Sequence, residues 1–300
     1  MFRATLFLLA LSASAAWCRG DEPSSEPPGT RKVWTRVGPL GDTPRRVTDA
    51  FPLSDQKNEG GWTRLEPLSD EFEGDRLDPG KWNLGLSWWR GRQPALFSEK
   101  NVVVADGKLR LTMRKETLTE GDRAQGYHDY TSAAIHSKVG TAYGYYEVKA
   151  RPMNSAGSSS FWFQHGDGPD WGTEIDVFEL AGKSPDFERK VHMTLHIFRT
   201  PTETRHWSVP GIWEAPWRLA DDDHVYGLEW SENELAFYLD GVPVHRVENT
   251  HWRQPLQLIF DSETMPDWFG MPADADLPST FNVDYVRAWK KGEPAPKPQP

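Results

Sequence analysis

Three acids fall within six residues of the run Trp171-Gly172-Thr173-Glu174-Ile175-Asp176-Val177-Phe178-Glu179. Ile175, Val177 and Phe178 stand between them, and such β-branched and aromatic residues favour a half-buried strand. Side chains on a strand alternate, so Glu174 and Asp176 share a face. Glu179 lies an odd number of residues from both and would point the other way. One inserted residue near Val177 or Phe178, a β-bulge, would return it to the side of the other two. Three carboxyls would then line one wall of a cleft, while Ile175 and one of the two apolar residues after Asp176 pack into the core. Two carboxyls flanking a bond, one protonated and one ionised, can hydrolyse a glycosidic linkage. Crowded like charges cannot all ionise cheaply, so at least one group should keep its proton near neutral pH and serve as a general acid. A solvated acidic strand face is the competing reading; the adjacent Trp171 and the required bulge favour the cleft.

The rest of the chain must position that row. Its 300 residues suit one large β domain or two small ones. Lys and Arg number 34 against 44 Asp and Glu, a net charge of −10, which argues against nucleic acid as a partner. It argues as well against a densely sulfated polyanion, unless basic residues gather locally. Fifteen tryptophans are unusual; sugars stack their apolar faces on aromatic rings, although at least half of the indoles are expected in the core.

Residues 1–16 combine Arg3, an apolar run over 6–11 and small residues over 12–16. That pattern predicts a secretory signal, too short to span a bilayer, and hence a secreted protein. Cys18 is the single cysteine, so no internal disulfide is available, and Trp17 before it suits lipid attachment badly. No second apolar run is long enough to cross a membrane. The protein is expected to be a monomer.

Residues 17–60 are rich in Pro, Gly, Ser and charge and read as a linker-like segment that packs, if at all, irregularly. The ordered domain is expected over 61–290, and 291–300 form a Pro-rich tail. Within the domain, short strands alternate with turn signals and no long amphipathic helix is evident. Asp106-Gly107 and Asp240-Gly241 are two-residue hairpin signals between apolar runs. Roughly ten or more strands without crossover helices imply an all-β, two-sheet antiparallel sandwich of the jelly-roll kind, with a concave cleft for a polymer.

The run Glu174 to Glu179 resembles the bulged Glu-x-Asp-x-x-Glu signature of glycoside hydrolase family 16. Leu68-Ser69-Asp70-Glu71-Phe72 is similar to that family's opening strand, and Phe281-Asn282-Val283-Asp284-Tyr285-Val286-Arg287 to its closing strand. Trp88-Trp89-Arg90-Gly91-Arg92-Gln93-Pro94-Ala95, taken with Asp261-Ser262-Glu263, resembles the β-agarase, β-porphyranase and κ-carrageenase branch.

The resemblance implies a retaining endo-hydrolase needing no cofactor for catalysis. Glu174 would be the nucleophile, Glu179 the acid and base, and Asp176 the acid that orients the nucleophile. It further implies a sugar platform at Trp171, a cleft-facing His196, and substrate contacts from Trp88, Trp89, Arg90, Arg92 and Glu263. Guanidinium groups could hold hydroxyls or a sulfate ester through paired hydrogen bonds. A structural calcium ion, held by Glu71, the Gly107 carbonyl and Asp284, is implied on the convex side. His192 and His196 stand four apart, but no third ligand is evident beside them, so a zinc reading is weak and His192 is better read as structural.

The substrate expected is a polysaccharide, a red-algal galactan of agarose type, or porphyran or carrageenan, cut at internal β-1,4 bonds. A laminarinase-like β-1,3-glucanase is the nearest alternative. A non-catalytic glycan-binding sandwich is the other, although a binding module has no need of three crowded acids.

Overall fold

The computed structural model describes residues 31–164 and 171–292. The signal-like start, Cys18 and residues 293–300 of the tail lie outside the described residues. Seventeen strands occur within them. The first nine are β1 (Val33–Thr35), β2 (Trp62–Arg64), β3 (Trp82–Leu84), β4 (Ala95–Phe97), β5 (Val102–Ala105), β6 (Lys108–Lys115), β7 (Tyr130–Thr141), β8 (Gly144–Arg151) and β9 (Ser158–Gln164). The others are β10 (Gly172–Leu180), β11 (Lys190–Arg199), β12 (Trp207–Glu214), β13 (His224–Trp230), β14 (Glu234–Leu239), β15 (Val242–Glu248), β16 (Leu256–Glu263) and β17 (Ser279–Lys291). A single turn of helix, α1 (Glu120–Arg123), is capped by Thr119, whose hydroxyl accepts from the Asp122 amide.

Two antiparallel sheets result. The inner one runs β3-β7-β16-β9-β10-β11-β12. The outer one runs β5-β6-β17-β8-β13-β14-β15-β1, with β2 on the far end of β17. A short β6–β7 pairing at Arg114 and Thr131 joins them along one edge, where β4 adds a parallel pair. Both Asp-Gly hairpins are present: Asp106 and Gly107 sit at φ 54° and 66°, Asp240 and Gly241 at 48° and 78°. Two successive positive φ values make the tight turn whose twist matches the flanking strands.

The core lies between the sheets. Phe178 of β10 meets Tyr226 of β13 at 4.4 Å between ring centroids, and Phe163 of β9 meets Tyr146 of β8 at 4.9 Å. Each such fully buried ring is worth about 1.5–3 kcal/mol relative to exposure. Trp62, Trp82, Trp162, Trp207, Trp213, Trp230, Trp252 and Trp289 are all buried, so more than half of the tryptophans are structural.

The described part of the linker-like segment is packed on the outer sheet. There β1 pairs with β15, and Leu40 and Leu53 are buried. Its anchor is Glu147 of β8, fully buried and bonded to the Arg46 guanidinium, the Tyr285 hydroxyl (2.9 Å) and the Leu53 amide (2.6 Å).

Candidate active site

Strand β10 carries the bulge that its acids require. Against β9, Asp176 faces Trp162 and Phe178 faces Phe161, so Val177 is the extra residue. Against β11, Asp176 faces Thr194 and Glu179 faces His192: three steps on one strand meet two on the other. The shift turns Glu179 onto the side of Glu174 and Asp176 and sends Phe178 into the core. Both glutamates are half-buried at the cleft floor, and Asp176 is 3% exposed.

Burial raises the Glu174 carboxyl well above its usual range, helped by the charges of Asp176 and then Glu179. Glu179 is raised in the same way, by burial first, then by Asp176 and Glu263. An ionised group in this row has little water and several like charges around it, so the site holds protons that exposed glutamates would lose. Gln164 donates to Glu174 Oε2 at 2.6 Å and fixes one of its oxygens.

His196 faces Glu174 across the β10–β11 pair and brings Nε2 to 3.3 Å from Asp176 Oδ2. Its Nδ1 lies 3.3 Å from His206 Nε2, and Phe198 stacks on both imidazoles. Trp171 stands half-buried immediately before β10, beside the register slip between Gly172 and Thr173.

The loop residues separate. Trp89 packs edge-on against Phe97 (5.1 Å) and Trp162 (6.4 Å), while exposed Trp88 packs against His136 (5.1 Å). Trp89, and His136 against which Trp88 packs, line a depression of about 540 Å³ together with Leu86, Arg90 and Phe97. It continues the floor, because Asp176, Trp162, Ile259 and His136 lie in register across four strands. Arg90 lines this depression, yet its guanidinium bonds Asp122 (2.6 Å) and Gln125 (2.7 Å) on the α1 side. Arg92 donates from Nε to Glu263 (2.8 Å), so those two predicted substrate contacts bind each other first.

In the sequence, Asp261 reads only as part of the Asp261-Ser262-Glu263 motif, with no role in the site. It faces Ser160, which faces Glu179, and its carboxylate is buried with Ser160 and Trp162 as its hydrogen-bonding neighbours. Burial and Glu263 push it well above the carboxylate range. Period-two alternation from Glu263 would have placed it there. Gln164, His206 and Trp268 escaped notice; Trp268 packs edge-on against His192 at 4.9 Å. His192, read as a satisfied structural histidine, is buried with Nε2 unpartnered among the described residues and faces Glu179 rather than joining His196. Burial lowers it to about 4, so it is neutral at pH 7.

The implied calcium site does not fit. Glu71, Gly107 and Asp284 do line one depression of about 660 Å³ on the outer sheet. However, Arg287 grips Glu71 at 2.8 and 2.9 Å and Arg64 adds a bond at 2.7 Å. Asp284 is held by Lys149 (2.6 Å) and Lys108 (3.2 Å). Four cations already neutralise the two carboxylates, and a divalent ion would meet their repulsion.

A jelly-roll sandwich whose inner sheet carries a bulged row of proton-holding acids defines a carbohydrate-cleaving enzyme. Residues 62–291 match the family profile described as β-porphyranase A–D, GH16 domain, and the chain belongs to glycoside hydrolase family 16, whose members are endo-acting and retain the anomeric configuration. It is 29% identical to β-porphyranase B of Zobellia galactanivorans over 76% of this chain and 85% of that protein. A crystal structure of that enzyme superposes with a TM-score of 0.67, covering 76% of this chain and 92% of the other. β-Porphyranase E of the same organism is 30% identical over 76% of this chain and 88% of its own length. Glucan endo-1,3-β-glucosidase A1 of Niallia circulans is 28% identical over 80% of this chain and 41% of its length.

Proposed function

We propose that the protein is a secreted hydrolase that cuts internal β-1,4 bonds of a red-algal galactan, porphyran being the first candidate and agarose the second. The observation that carries this reading is the Val177 bulge, which gathers Glu174, Asp176 and Glu179 on one face. In the first step the Glu174 carboxylate attacks the anomeric carbon. Glu179 gives its proton to the departing oxygen, the glycosidic bond breaks and a glycosyl ester forms on Glu174. In the second step Glu179, now ionised, takes a proton from water; the hydroxide oxygen bonds to the anomeric carbon and Glu174 leaves as carboxylate. Asp176, buried between them, would orient the nucleophile, and its charge favours a proton on Glu179. Trp171 would carry the sugar at the cleavage point, and Trp88 and Trp89 the sugars further along the depression.

The similarity to two porphyranases supports a galactan. The relative from Niallia circulans favours a second reading, a β-1,3-glucanase. Incubation with porphyran, agarose, κ-carrageenan and laminarin, followed by measurement of reducing ends, separates the two. Reducing ends from laminarin alone would end the galactan reading.

A further inference from the structure

One corner of the acid row has the chemistry of a metal site. An oxygen of Glu174, an oxygen of Asp176 and a ring nitrogen of His196 all lie within 4.8 Å of one another. Asp176 is 3% exposed, and its Oδ2 has no hydrogen-bond partner among the described residues, although it faces His196 Nε2 at 3.3 Å. Behind the ring, Nδ1 is 3.3 Å from His206 Nε2. When His196 donates its Nδ1 proton to His206, the Nε2 lone pair and a carboxylate oxygen point at each other, and only a proton or a cation reconciles them.

The spacing selects a small, nitrogen-accepting cation. Zinc binds imidazole nitrogen and carboxylate oxygen at about 2.0–2.2 Å in a tetrahedron, whose ligands stand about 3.3–3.5 Å apart. The 3.3 Å between His196 Nε2 and Asp176 Oδ2 is one such edge. Calcium and magnesium prefer all-oxygen shells and fit less well. A histidine that ligates zinc commonly passes its other ring proton to a fixed partner, the place that His206 occupies here. Glu174 completes the set by a turn of its flexible side chain away from Gln164.

We propose that Glu174, Asp176 and His196 bind a zinc-like divalent ion, and that this ion silences the hydrolase by occupying the nucleophile. The site is an inhibitory one, with no part in turnover. Hydrolysis would then respond to free zinc in the surrounding medium, and chelation would restore it.

The test uses the full chain stripped of metal. Zinc is titrated by calorimetry, and cobalt, its visible stand-in, by absorption spectroscopy. One site is expected, with a cobalt band of four- or five-coordinate type. His196→Gln and Asp176→Asn should each weaken binding at least tenfold, and His206→Phe by about tenfold. Circular dichroism checks each fold, and a misfolded variant leaves the other two to decide. Binding no tighter than about 1 mM, or equal affinity in the folded variants, overturns the proposal. Because binding is read without turnover, a chain that cuts galactan but takes no zinc overturns this site alone. A chain that takes zinc but cuts no polysaccharide even when metal-free overturns only the hydrolase reading, and one that cuts galactan equally well with zinc bound overturns the inhibitory role.

Discussion

The indole N–H of Trp252 lies between two main-chain carbonyls, that of Glu174 at 2.9 Å and that of His196 at 3.2 Å. One fully buried side chain therefore holds the register of the strand pair that carries the nucleophile and its histidine. Trp207 packs edge-on against it at 6.0 Å, and Trp230 donates its own indole proton to the Trp252 carbonyl at 2.8 Å.

Replacing that indole with a ring of similar shape and no donor isolates the bond. Trp252→Phe should cost about 1–3 kcal/mol of stability, measured by urea unfolding. It should lower kcat by roughly ten- to a hundredfold with KM little changed, since a small misplacement of a reacting group is costly. An unchanged kcat would show that Trp252 supports the fold without positioning Glu174.

Removing the acids should trade activity for stability. Glu174→Gln is expected to abolish reducing-end release while polysaccharide binding persists, and undiminished turnover would refute its role. Both glutamates have raised pKa values in the folded state. The folded protein thus holds protons that the unfolded chain releases above about pH 4.3. Their contribution to stability is largest below that pH and is lost as pH rises through the folded values. Glu179→Gln removes part of this slope. Its Tm should exceed that of the parent at pH 8 by about 2–4 °C, the shift expected for 1 kcal/mol in a domain of this size, and the gap should close toward pH 4.

Arg46 offers the opposite case, a strong structural effect with no catalytic one. Arg46→Ala leaves Glu147 buried without its counter-charge, which should cost about 3–5 kcal/mol. The kcat below the new melting point should equal that of the parent, because Glu147 belongs to the outer sheet. A loss of kcat without loss of Tm would contradict that division.

Calcium removal should be silent. The carboxylates of Glu71 and Asp284 already have arginine and lysine partners. Chelation by EGTA is expected to leave Tm unchanged, and a fall of several degrees would show that an ion displaces those partners.

Local chemistry made much of this protein legible without coordinates. The Asp-Gly pairs announced hairpins because those residues tolerate positive φ. The odd spacing of Glu179 announced a bulge because side-chain alternation leaves no other way to face Glu174. Those inferences needed only neighbours in sequence. Partnership across strands had no such signal. Nothing local says that Arg92 pairs with Glu263 or that Arg90 turns to Asp122. Asp284 likewise gives no sign that two lysines claim it. Long charged side chains choose partners by proximity in space, and sheet order decides who is near. The register of β11 against β10 likewise set His196 beside Asp176 and His192 beside Glu179. The acids' identity was therefore written in one strand, whereas their surroundings, and so their charge states, were decided by the two strands packed on either side.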